Sequence, residues 1–155
     1  MNPLEVYQQA IDIVSRAVLA DDFETYATCF DFPYLIRTAD THFVAHGPDD
    51  LEETFRTVAR ALARRGVTHY ERIARDAEYV RPDRIVGWHF THMIRDGVRI
   101  IAPHASSQIL VLRNGRWLAT EANYPLLTAD WPPSEAAIFG PKGYFESPLT
   151  SRGTE

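Results

Sequence analysis

The side chains in this sequence that could move protons are six histidines, a set of tyrosines on helix faces and a thin scatter of carboxylates. Removing a proton from a carbon beside a carbonyl needs a base, His or Asp, with a pKa tuned by burial. It also needs a donor, often Tyr, to hold the oxyanion that develops. His89, Asp40 and Tyr26 are the candidates for those catalytic roles. Tyr7, Phe30, Tyr34, Phe55, Thr91, Ser107 and Glu121 are the candidates to line a small, largely apolar ligand pocket around them.

Each candidate has a plainer reading. Asp40-Thr41 is also an ordinary turn. Tyr7 and Tyr26 read equally as amphipathic core residues with the hydroxyl at the rim. His89 reads equally as a neutral, hydrogen-bonded structural histidine. Glu121 is the acid of the last strand best placed for burial, with Arg99 or His89 as partner; the alternative is a surface ion pair.

A metal centre is not expected. His89 and His92 are three apart on a strand and should point to opposite faces. His42 and His46 could share a face, but Gly47 ends that strand. There is no His-Glu-X-X-His or Cys-X-X-Cys pattern. No metal or other cofactor is therefore expected.

Positioning these groups falls to a recognisable series of elements. Leu4, Tyr7, Ile11, Val14 and Val18 recur at three- and four-residue spacing, which predicts a helix over Pro3 to Ala20. Asp21 with Glu24 has the form of a capping box that starts a short second helix. That helix carries Phe23, Tyr26, Ala27 and Phe30 and should stop at Asp31-Phe32-Pro33. Tyr34 to Ala39 and His42 to Ala45 read as a hairpin around Asp40-Thr41. Gly47-Pro48-Asp49-Asp50 opens a third helix with the stripe Leu51, Phe55, Val58 and Leu62, and Gly66 stops it.

Four long antiparallel strands should follow. Val67 to Tyr79 has broken alternation, which one bulge near Ala74 would repair. From Arg84 to Tyr124 three strands are joined by Arg95-Asp96-Gly97 and Arg113-Asn114-Gly115, whose residues tolerate positive φ. On the strand Gly87 to Met93, Trp88, Phe90 and His92 form one face, and His89, Thr91 and Met93 the other. Alternation alone does not say which face lines the pocket. On the next strand Pro103 marks a bulge or an edge. There His104, Ser106 and Gln108 share one parity, and Ala105, Ser107, Ile109 and Val111 the other.

Helices followed by strands indicate an α+β fold rather than an alternating parallel sheet. The order and spacing resemble the NTF2-like superfamily, which includes SnoaL-like cyclases and ketosteroid-isomerase-like proteins. The resemblance runs from Val6 to Asn123. It rests on Asp21-Asp22-Phe23, Phe32-Pro33-Tyr34, Gly47-Pro48 and the ending Leu112-Arg113-Asn114-Gly115-Arg116-Trp117. It implies a cone of three helices packed in a curved antiparallel sheet, a pocket at the open end and a homodimer through the sheet. It also implies that Asp40 stands roughly where the isomerases place their base.

Composition bounds the partners. The chain of 155 residues suits one domain over residues 1–127. The Pro/Gly-rich stretch 128–155 holds Trp131, Ile138, Phe139, Tyr144 and Phe145, and should pack on the domain or on a partner subunit. Net charge is −5, and the basic residues are scattered arginines apart from Lys142, so nucleic acid is an unfavourable partner. No leader pattern and no membrane-length apolar run is visible. The single cysteine, Cys29, cannot form an internal disulfide and points to a reducing cytoplasm. The resemblance implies an NTF2-like protein of unassigned activity with a small, largely apolar ligand pocket. The alternative is an isomerase, cyclase or dehydratase working by acid/base chemistry on a hydrophobic carbonyl compound. A protein-interaction module of the transport-factor kind is the third reading, with no partner motif to support it.

Overall fold

A computed structural model describes residues 1–101 and 103–124. The expected boundary at 127 and the packing of 128–155 lie outside the described residues. The elements run α1 (Pro3–Leu19), α2 (Phe23–Ala27), β1 (Phe30–Arg37), β2 (His42–Ala45), α3 (Asp49–Arg64), β3 (His69–Arg81), β4 (Arg84–Arg95), β5 (Val98–Arg99), β6 (His104–Arg113) and β7 (Arg116–Asn123).

Local chemistry explains the helix ends. Asn2 caps α1 through a side-chain oxygen that accepts from the Leu4 N–H at 2.8 Å, and Pro3 fills the first turn. The cap of α2 is Asp22, one residue later than expected; its carboxylate takes the Thr25 N–H at 3.1 Å. Asp21 instead turns the chain at φ 55° and pairs with Arg56 at 3.0 Å. Helix α2 ends at Ala27, short of Phe32-Pro33, because Phe30 is already paired with Ala119 of β7. Gly66 stops α3 at φ 67°, where the N–H groups of Gly66 and Val67 satisfy the carbonyls of Ala63 and Leu62.

The strands form one sheet in the order β2-β1-β7-β6-β4-β3, with β5 on β4. The sheet is mixed rather than wholly antiparallel: β1 runs parallel to β7, while the other pairs are antiparallel. Both Gly turns form, with Asp96, Gly97, Asn114 and Gly115 all at positive φ. The pairing of β3 with β4 slips between Ala74 and Asp76, at the expected bulge, and β6 on β7 slips between Ile109 and Leu110. Bulges of this kind bend a sheet. The strand after Gly97 is broken into β5 and β6; Pro103, just before β6, has no N–H to give to a ladder.

The concave face carries the core. Tyr7, Ile11, Val14 and Val18 of α1 and Leu51, Phe55 and Leu62 of α3 are buried with Ile85 and Met93 of β4 and Leu110 of β6. The two faces of β4 are thereby assigned. His89, at 1% exposure, points inward with Thr91 and Met93, while Trp88 stands 40% exposed outside. Among the described residues no helix is long and apolar enough to cross a membrane.

Candidate functional site

Among the described residues the inward face of the sheet gathers polar side chains around one cleft, and strand register explains why. Arg72 of β3 stands beside Thr91 of β4, and Thr91 beside His104 of β6. The next row is Ala74, His89 and Ser106. Neighbouring strands lie about 4.8 Å apart, so each row spans roughly 10 Å. Val14 and Val18 of α1 face this patch, with Thr54, Phe55 and Val58 of α3. Tyr26, Tyr70, Met93 and Tyr124 complete the walls of a small cleft. None of its lining residues is Asp or Glu.

The floor is held from α1. Tyr7 is fully buried, and its hydroxyl lies 2.7 Å from His89 Nδ1. With the hydroxyl proton given to Nδ1, the ring proton of His89 sits on Nε2. Nε2 is the ring nitrogen left to face the cleft. The Tyr7 ring fits because position 87 is glycine; a Cβ there would meet Tyr7 ring carbons at 2.6 Å.

Arg72 is anchored in the same way. Its Nε donates to Ser15 Oγ at 2.8 Å and its Nη2 to the Ile11 carbonyl at 3.0 Å. Ser15 Oγ in turn donates to the Ile11 carbonyl at 2.8 Å. Gln8 clamps the strand beside it, donating to the Arg72 carbonyl and accepting from the Ala74 N–H, both at 2.8 Å.

The electrostatics follow from burial around one cation. Burial first, then the charge of Arg72 and the proximity of His104, push His89 down to about 2. Burial, His92 and Arg72 push His104 down to about 3. Both imidazoles are neutral at physiological pH. Burial also raises Tyr26 and Tyr70, with Tyr124 adding to the effect and Arg72 opposing it. The cleft thus presents neutral donors around a buried guanidinium. Among the described residues no group of three or more His, Cys, Asp or Glu side chains converges as a metal site would require.

No protein-family model matches the sequence, and no curated protein matches it. Solved structures do match. An NTF2-like protein with a cystatin-like fold from Novosphingobium aromaticivorans superposes with TM-score 0.59 at 17% identity, over 80% of this chain and 81% of that one. The fold is NTF2-like. A protein of unknown function from Mycobacterium tuberculosis gives TM-score 0.57 at 18% identity, over 86% of this chain and 82% of the other. A candidate scytalone dehydratase from N. aromaticivorans gives TM-score 0.56 at 13% identity, over 77% and 80%.

Within this NTF2-like chain the expected site residues separate into two groups. His89, Tyr26, Phe55 and Thr91 come together in the cleft, with Tyr7 directly behind His89. Phe30 and Tyr34 are one layer deeper: Tyr26 stacks on Phe30 at 4.8 Å and Phe30 on Tyr34 at 4.7 Å, so Tyr26 screens both. Asp40 is exposed in the β1–β2 turn, where Thr38 Oγ1 bonds its carboxylate at 3.2 Å, and it is not in the cleft. The turn reading of Asp40 is the one the geometry carries. Ser107 pairs with Trp88 on the outer face, since strand alternation sends it opposite to Ser106. Glu121 pairs with Arg37 of β1, not with Arg99 or His89.

The cleft residues absent from the expected set include Arg72, His104 and Ser106. His104 and Ser106 have the parity of Gln108, and it is this face of β6, not that of Ser107, that lines the cleft. Arg72 shares parity with Tyr70, two residues earlier, and that was its only signal.

Proposed function

We propose that the cleft binds a small hydrophobic carbonyl compound and transfers a proton beside its carbonyl, as an isomerase, cyclase or dehydratase does. The observation that carries this reading is the 2.7 Å Tyr7–His89 pair at the floor of a cleft that also holds Arg72 and, among its described residues, no acid. A neutral imidazole whose Nδ1 is occupied by a tyrosine hydroxyl offers a fixed Nε2–H to a carbonyl oxygen. Donors fixed before reaction stabilise a developing oxyanion without reorganising. His104, neutral and one strand away in the adjacent row, is the group to accept the proton. Its basicity is held down partly by Arg72. Burial and His92 lower it more, and negative charge growing on the substrate beside Arg72 would offset the Arg72 part.

The test is deuterium exchange at the α-carbon of 2-tetralone, followed by proton NMR. Wild type should exchange it well above the buffer rate. His89→Gln and His104→Gln should each slow exchange by roughly 100-fold, in line with general acid–base contributions. Asp40→Asn should leave it unchanged. Exchange at the buffer rate in wild type, or an unaffected His104→Gln, would refute the assignment.

We also propose a homodimer through the outer face of the sheet. Trp88 and Phe90 stack there edge to face at 5.5 Å, and a monomer rarely leaves such a pair uncovered. The lone Cys29 supports a reducing, cytoplasmic setting.

A further inference from the structure

Among the described residues Arg72 is a cation without a counter-charge. It is 6% exposed, and a guanidinium taken out of water without a carboxylate is costly. Two of its nitrogens are bonded, but to a serine hydroxyl and a backbone carbonyl, which are both neutral. Among the described residues it makes no ion pair. Nη1 has no partner among the described residues, and Arg72 lines the cleft.

Tying α1 to β3 explains Nε and Nη2 but not the charge. A neutral donor would make the same two bonds at a smaller desolvation cost. The neighbours in the cleft supply no compensation either, because Tyr26, Thr91, His104 and Ser106 are all neutral there. What the described residues of the cleft lack is one negative charge at its polar end.

We propose that the ligand of this cleft carries a single carboxylate, held by Arg72 Nη1 with Thr91 beside it, and an apolar body lying on Val14, Val18, Phe55 and Met93. One guanidinium balances one carboxylate. A phosphate of nearly two charges would leave an excess with no second cation, since Arg72 is the one Lys or Arg among the lining residues. The register adds a partner: Thr91 is the cross-strand neighbour of Arg72. A carboxylate with two acceptor oxygens can bridge the two. The inference deepens the reading of the cleft as a ligand site and names the substrate class as a hydrophobic carboxylic acid, such as an oxo acid.

Calorimetric titration with 2-naphthoate and with its uncharged isostere 2-naphthamide tests this. Wild type should bind the acid about tenfold or more tightly than the amide, the scale of a charge-assisted bond. Arg72→Gln should bind both alike, and Arg72→Lys should retain part of the preference. Circular dichroism reports whether each variant folds; if Arg72→Gln does not, the wild-type pair and Arg72→Lys decide. Equal affinities in wild type, or binding of neither probe, overturn the proposal. So does competition by inorganic phosphate as strong as that by naphthoate, which would mark a general anion site. The proton-transfer reading fails separately: no tetralone exchange, with an Arg72-dependent preference for naphthoate intact, removes the chemistry and leaves the carboxylate site.

Discussion

Tyr7 and Gly87 share one space: the Tyr7 ring lies where a side chain on residue 87 would stand, 2.6 Å from an ideal Cβ. The glycine on β4 therefore sets the depth at which α1 rests on the sheet. It also sets where the Tyr7 hydroxyl meets His89, two residues along the same strand face.

Gly87→Ala should act at two levels. The added methyl collides with a ring in a packed core, so stability should fall by about 1–3 kcal/mol, the usual scale of overpacking. The displaced ring should also release His89 Nδ1. Nitrogen NMR of the imidazole should then show a mixture of tautomers in place of one. A variant with wild-type melting and a single unchanged tautomer would mean that Tyr7 does not set the state of His89.

Ser15→Ala removes the acceptor of Arg72 Nε. A buried charged donor left unsatisfied costs about 1.5–3 kcal/mol, and denaturant unfolding should read a loss in that range. The naphthoate preference should fall as well, because the guanidinium loses one of its two anchors. A stability change under about 0.5 kcal/mol would place Ser15 among ordinary core substitutions.

Acid should destabilise the fold early. The ordinary histidine value is 6.5, and folding pushes His89 down to about 2 and His104 to about 3. The unfolded chain takes up protons that the folded chain refuses. Their contribution is therefore whole above pH 6.5 and is lost as pH falls below it toward the folded values. Each histidine can remove up to about 1.4 kcal/mol per pH unit. Among the described residues the groups acting on the pair are Arg72 of β3 and His92 of β4, with Tyr7 of α1 bonded to His89, and none is an acid that could reverse the sign. Melting curves at pH 7.5 and 5.0 should separate in wild type and separate less in His104→Gln. Equal separation in both would show that His104 is not refused its proton.

The outer face predicts association. Sedimentation at micromolar concentration should give a dimer for wild type and a monomer for Trp88→Arg, which buries a charge in the shared face. A wild-type species at 17.6 kDa would refute the dimer.

Much of the scaffold was legible in local pattern. The stripes of α1 and α3, the Asp-Gly and Asn-Gly turns and the bulge near Ala74 all depend on residues close together in sequence. So does the limit on α3 at Gly66, where the backbone needs a left-handed residue. Errors arose where distant pairing competed with local preference. Helix α2 ended early because β7, some ninety residues later, claims Phe30 as a strand partner.

The site was legible only as a set of residue types. Alternation determined that Trp88 and His89 must part, and that Ser106 and Ser107 must part. It could not say which of each pair points inward, because that depends on which face α1 covers. The tertiary structure decided it through Gly87: the Tyr7 ring needs a bare strand face, so Gly87, His89 and Thr91 point inward and Trp88 does not. Arg72 was invisible for a related reason. An arginine in a strand reads as solvated, and only the approach of Ser15 and the Ile11 carbonyl from α1 makes its burial tolerable. Sequence periodicity thus determined the elements and their turns. Packing across some sixty to eighty residues of chain decided which polar groups share one cleft.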